Sequence, residues 1–115
     1  MTYIREQKST ERFPDQFKRF GDEVYERKLA QAFEFNSYNV HAVPTLTQAA
    51  LHKWQETPLG KFVTEHGEDT FFLREEMIKK PLSYKMAIVT YMTPKRWTEF
   101  HLKFNNASTA SQKLY

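Results

Sequence analysis

The sequence predicts a single small α+β domain, with several short helices packed on a small antiparallel sheet that includes a C-terminal hairpin. Three observations lead there. Tyr84, Met86, Ile88 and Thr90 alternate with Lys85, Ala87, Val89 and Tyr91, a period of two in a run rich in β-formers. Phe13, Phe17, Phe20 and Val24 recur at spacings of four, three and four, the period of a helix. Thr57-Pro58 and Gly67 bracket a third stretch, with a capping hydroxyl, a proline suited to the first turn and a glycine stop.

Residues 1–11 are polar and charged, with only Tyr3 and Ile4 apolar after Met1, and read as a flexible arm. The helical stripe from Phe13 follows, with Pro14 in its first turn. Gly21 interrupts it, and Asp22 can cap a second piece holding Val24, Tyr25, Leu29 and Ala32 that stops near Asn36-Ser37. Tyr38–Val43 is β-compatible and ends at Pro44. Thr47 then offers an N-cap, and Leu46 can staple onto Leu51, with Ala50, Leu51 and Trp54 as the buried stripe. The helix after Thr57 buries Leu59, Phe62, Val63 and His66.

Asp69 can cap a further helix that carries Glu75–Lys79 and Glu76–Lys80 pairs at i,i+4 and ends at Pro81. Phe71-Phe72 is also compatible with a strand. After the strand at 84–92, Phe100, Leu102 and Phe104 alternate, which gives the hairpin. The competing reading is a helix capped by Thr93, with Pro94 first and Trp97, Phe100 and Phe104 as its stripe. The domain spans 12–104, and residues 105–115 form a polar C-terminal tail. The expected core is Phe17, Phe20, Leu29, Leu51, Trp54, Phe62, Leu73, Met77, Met86, Ile88, Phe100 and Leu102.

A chain of 115 residues fits one domain and can bury a core without staples. Aromatic residues, 16% of the chain, supply that core with a few large fillers. The lack of cysteine excludes a disulfide scaffold, a zinc ribbon and thiol catalysis. It also fits a reducing, cytoplasmic or other intracellular compartment, or a virion. The N-terminus reaches charge at Arg5 before any apolar run, so no signal peptide is read. No stretch approaches a membrane span, and no membrane partner is expected. Asn106-Ala107-Ser108 matches a glycosylation acceptor by chance.

Histidines 41, 52, 66 and 101 are not spaced as a metal motif. The Glu65-His66-Gly67-Glu68-Asp69 run reads as a helix end followed by a helix start. No nucleophile elbow and no glycine-rich phosphate cradle is present, since Gly21, Gly60 and Gly67 stand singly. No catalytic residue, metal site or cofactor is assigned, and the chain reads as a non-enzyme.

Charge is uneven. Residues 1–30 carry +1, residues 31–70 carry −3 and residues 71–115 carry +5, for +3 overall. In the basic part, Lys79, Lys80 and Lys85 precede Lys95, Arg96 and Trp97 at the hairpin tip. These six are the candidate binding residues. Two loose ends flanking an aromatic core suit a non-enzymatic protein-binding module. It would be either a small subunit of a larger assembly, viral particles included, or a modulator or inhibitor docking on a partner. The alternative is nucleic-acid binding through residues 79–97, with lysines on phosphates and Trp97 stacked on a base.

Overall fold

The computed structural model describes residues 4–80 and 82–113, with side chains as far as Phe104. Its strands are β1 (Arg5–Glu6), β2 (Phe17–Phe20), β3 (Glu23–Asn36), β4 (Glu68–Glu76) and β5 (Ser83–Met92). Its helices are α1 (Val43–Gln55), α2 (Pro58–His66) and α3 (Pro94–Lys113). The strands form one sheet in the order β1-β4-β5-β3-β2. The β1–β4 pair is parallel and every other pair antiparallel, so the sheet is mixed where an antiparallel one was expected.

The central strand β5 is buried on both faces. Met86, Ile88 and Met92 meet the three helices in the main core, with Leu51 and Trp54 of α1, Leu59, Phe62 and Val63 of α2, and Trp97 and Phe100 of α3. Val89 and Tyr91 face the other way and join Phe71, with Phe20, Tyr25 and Leu73 packed around them. Phe71 and Phe72 are adjacent yet both buried, one in each core. Only a strand covered on both faces can do that, because successive side chains point to opposite sides. The helix expected from Asp69 is therefore β4, and its Glu–Lys pairs at 75–80 fall on the strand end and the turn after it. Asp69 has a positive φ of 48°. Its carboxylate is held by Lys18 Nζ at 2.6 Å and Arg5 Nε at 3.6 Å rather than capping a helix.

The N-terminal half departs furthest from expectation. The stretch 17–36 is a β-hairpin, β2–β3, and not a broken helix. Gly21 takes φ 64° at the first of the two turn residues between Phe20 and Glu23, as the twist of a tight hairpin requires. Pairing of β3 with β5 over ten positions, interrupted by a β-bulge at Ala30, overrides the helix propensity of Glu, Lys, Leu and Ala in this run. The hairpin curls over the helix-free face. Two strands separate β2 from β4 in the sheet, yet Lys18 still reaches Asp69 and lies 4.9 Å from the Tyr91 ring centroid.

Residues 4–7, inside the stretch expected to be an arm, belong to the sheet. Ile4 is buried in the main core, and the Gln7 amide donates to Phe72 O at 2.8 Å. From there residues 8–16 run as a strap across the helix-free face, from the β1 edge to the β2 edge. Phe13 meets Phe71 edge-on at 5.8 Å, and the Tyr91 hydroxyl donates to the Asp15 carbonyl.

Tyr38–Val43 is no strand. The Asn39 side chain accepts from the His41 amide at 2.9 Å, and a short 3-10 turn (Val40–Ala42) leads into α1. Helix α1 has no side-chain cap. Thr47 is buried inside it, donating to Val43 O at 2.7 Å and accepting from Arg74 Nη1 at 2.8 Å. Leu46 is 39% exposed and staples nothing. Helix α2 begins as expected, with the Thr57 hydroxyl accepting from the Gly60 amide at 3.0 Å. Gly67 ends it without a positive φ. A Cβ there would lie 2.4 Å from Thr90 Oγ1 and 2.7 Å from Val63 O.

Residues 93–104 take the competing reading. Thr93 Oγ1 accepts from the Arg96 amide at 3.3 Å, Pro94 opens α3, and the described residues form no C-terminal hairpin. The helix kinks at Phe104 (φ −123°, ψ 20°). In the expected polar tail the structure follows only the backbone to Lys113, and the side chains of 105–115 lie outside the described residues. Of the expected core, Phe17 (56%), Leu29 (42%) and Leu102 (81%) are exposed. Each was placed by a helix or strand that the chain does not form there, or by the wrong face of one that it does.

Candidate functional site

The six candidate residues occupy the two ends of β5 rather than one patch. Lys79 and Lys80 are exposed on the β4–β5 turn, and Lys80 Nζ is 4.0 Å from Glu34 Oε2. Lys85, half-buried on the helix-free face, has Glu34 and Glu75 as its register partners on either side. Beyond the far end of β5, Lys95 and Arg96 lie in the first turn of α3, with Arg96 Nη1 2.9 Å from Glu99 Oε2. The ten residues of β5 set these groups roughly 30 Å apart at about 3.3 Å per residue. Trp97 is only 2% exposed, and its indole N–H donates to Glu26 O at 2.7 Å. It is a core residue of α3 rather than a side chain at a hairpin tip.

What gathers near Lys79 and Lys80 is apolar. Ile78 is 97% exposed, Tyr38 90% and Val40 60%. Ile78 sits on the β4–β5 turn. Tyr38 and Val40 sit on the link from β3 to α1. The two segments are pinned to each other, since the Ser37 amide donates to Leu82 O at 2.9 Å and the Ser83 hydroxyl to Asn36 Oδ1 at 2.7 Å. The turn is itself closed by Lys80 N to Met77 O (3.3 Å) and Ser83 N to Lys80 O (3.0 Å). Large apolar side chains thus stand in water on backbone held by hydrogen bonds.

Beside this end, a groove of about 570 Å³ runs between the strap and the uncovered sheet. Leu73 and Ala87 form its floor, Glu75 and Lys85 line the sheet side, and Lys8 and Thr10 line the strap side. The surface offers apolar contact and charges of both signs.

The histidines stay apart. His52 lies 3.4 Å from Glu56, His66 packs on Phe62 with centroids 4.7 Å apart, and His101 stacks over Trp97 at 6.1 Å. Among the described residues no group of three or more His, Asp or Glu side chains could hold a metal ion. None of the described helices is long and apolar enough to cross a membrane.

Tyr38, Val40 and Ile78 are absent from the sequence-derived set. Reading Tyr38–Val43 as a strand and Ile78 as part of a helix hid them. The one signal available was an isoleucine followed by Lys79-Lys80-Pro81, a composition suited to a turn rather than a helix interior. Compared with protein-family models, curated proteins and solved structures, the chain matches none.

Proposed function

We propose that the chain is a non-enzymatic protein-binding module, a small subunit of a larger assembly or a modulator of one partner, and that it docks by the β4–β5 end of its sheet. The observation that carries this reading is the trio Ile78, Tyr38 and Val40, exposed at 97%, 90% and 60% on two mutually pinned loops. A fully exposed large apolar side chain forgoes roughly 1.5–3 kcal/mol of burial, which a partner surface recovers on docking. Because the loops are hydrogen-bonded, little conformational freedom is lost on binding. Lys79 and Lys80 directly follow Ile78, so the fitting partner is a protein with an apolar pocket for Ile78 rimmed by carboxylates.

The test is capture from the native source with the full chain, in nuclease-treated and untreated halves. Ile78→Asp with Tyr38→Ser should lower recovery of the captured protein at least about tenfold, the scale of losing two anchors at ~1 kcal/mol or more each. Leu102→Asp, on the far face of α3, should leave recovery unchanged. Equal losses from both variants would sink the docking assignment. Capture abolished by nuclease would put nucleic-acid binding first.

A further inference from the structure

We propose that a partner protein adds an extended segment to the open edge of β4 at Arg74–Glu76, antiparallel to β4 and paired main chain to main chain. The inference rests on the docking end proposed above and supplies its mode of recognition, since this edge runs directly into the turn that carries the exposed Ile78.

Strand β4 has nine residues, but β1 pairs with only Phe71 and Phe72. The Gln7 amide adds one bond, to Phe72 O at 2.8 Å. The chain then leaves the edge. The Lys8 amide goes to Glu11 Oε1 at 2.9 Å and the Glu11 amide to Lys8 O at 3.1 Å, a turn that sends the strap over the helix-free face. The groove of about 570 Å³ opens where the two part, with Glu6, Gln7 and Lys8 on one wall and Arg74 and Glu75 on the other. Glu75 and Glu76 are exposed.

Two hydrogen bonds fix which backbone groups face the opening. Phe72 O accepts from Gln7, on the outer side, and the Met77 amide goes to Ser83 O, on the β5 side. Along a strand the N–H and C=O of successive residues face alternate sides. Counting from either bond, the N–H and C=O of Arg74 and of Glu76 face outward, while those of Leu73 and Glu75 face β5. Among the described residues, the β1 ladder stops at Phe72, and no hydrogen bond from the chain beyond it reaches the Arg74 or Glu76 backbone.

Unpaired main-chain groups on a sheet edge are met by another strand. A second copy of this edge does not fit. The two-fold registers that pair its outward residues centre on Arg74, Glu75 or Glu76, and each sets two like charges directly opposite. The occupant is thus a different sequence. Its direction follows from Gln7, which stands beside Leu73 in the β1 register. A parallel segment has to accept the Arg74 N–H from that same position, which is taken. An antiparallel segment exchanges both bonds with Glu76 and, two residues on, both with Arg74. Its residue beside Glu76 is suited by a cation and its residue beside Arg74 by a carboxylate. The residue between them, beside Glu75, faces the groove whose floor is Leu73 and Ala87, and is apolar.

The probe is the blocked peptide acetyl-Thr-Lys-Val-Glu-Thr-amide, titrated into the full chain with amide exchange read by NMR. In the free chain the Arg74 and Glu76 amides should exchange at least about tenfold faster than those of Leu73 and Glu75. The peptide should protect both, and the same peptide N-methylated at its lysine and glutamate should not. Glu76→Pro removes an outward N–H, leaves the β5 ladder intact and is tolerated on an edge, so it should weaken the peptide roughly tenfold. Glu76→Ala keeps the N–H and should weaken it less than about threefold. Slow exchange at Arg74 and Glu76 in the free chain, no protection by the peptide, equal protection by its methylated form, or equal losses from the two Glu76 variants would each overturn the proposal. In capture from the native source, Glu76→Pro should lower recovery as Ile78→Asp with Tyr38→Ser does. Loss with the Ile78–Tyr38 pair alone would sink strand addition and leave the docking end standing. Loss with Glu76→Pro alone would do the reverse.

Discussion

At Trp97 the indole meets Phe100 edge-on at 5.2 Å, lies 5.8 Å from Lys28 Nζ and donates its N–H to the Glu26 carbonyl. One side chain thus joins α3 to β3 and satisfies its own polar atom in doing so, the condition under which a buried tryptophan stabilises. Trp97→Ala should cost about 3–5 kcal/mol in denaturant melts, through the cavity and the orphaned carbonyl. Leu102→Ala, five residues on and 81% exposed, should stay within about 0.5 kcal/mol. A cost below 1 kcal/mol for Trp97→Ala would contradict the core assignment. Gly67 shows a different constraint. Its φ of −88° suits any residue, so glycine is required there by the 2.4 Å approach of a notional Cβ to Thr90, a tertiary contact that a local stop signal does not encode.

Among the elements, the N-terminal segment shows most directly how long-range pairing decides structure. The two residues of β1 have no helix or hairpin of their own, and a sparse apolar pattern made residues 1–11 look loose. Yet Ile4 is 7% exposed and Gln7 4%. Ile4→Ala should cost about 2–4 kcal/mol, and removal of residues 1–7 should cost more, because it also unties the strap from β4. A truncated chain with an unchanged denaturation midpoint would show that the strap holds without β1. The same contrast explains what was legible. Strand β5 was readable because its alternation is strong, and α2 because Thr57 caps it through a bond three residues away. The six expected core residues found buried, Leu51, Trp54, Phe62, Met86, Ile88 and Phe100, lie on α1, α2, β5 and α3. Strand β3 was not readable, since its Glu, Lys, Leu and Ala favour a helix locally and only pairing with β5 reverses that. The exposed apolar end was hidden by the same errors, which placed Tyr38 in a strand and Ile78 in a helix.

For the molecule as a whole, the distribution of charge limits what a polyanion can find. The candidate basic residues of 71–115, Lys79, Lys80 and Lys85 against Lys95 and Arg96, are divided between the two ends of β5, about 30 Å apart and well beyond the ~8 Å screening length at physiological salt. At one end Lys80 and Lys85 have Glu34 and Glu75 beside them, and at the other Arg96 is engaged by Glu99. A nucleic acid touching either end meets about two cations, so two counterions are released and the slope of log K against log salt should be near −2. Lys79→Ala with Lys80→Ala, and Lys95→Ala with Arg96→Ala, should each flatten that slope only if their own end is used. Because Trp97 is buried, Trp97→Ala should lower stability and leave single-strand binding unchanged once the folded fraction is accounted for. A slope of −4 or steeper, with both double substitutions reducing it, would mean that one ligand bridges the two ends. The basic residues read from the sequence would then act together despite their separation, and nucleic-acid binding would displace protein docking as the favoured function.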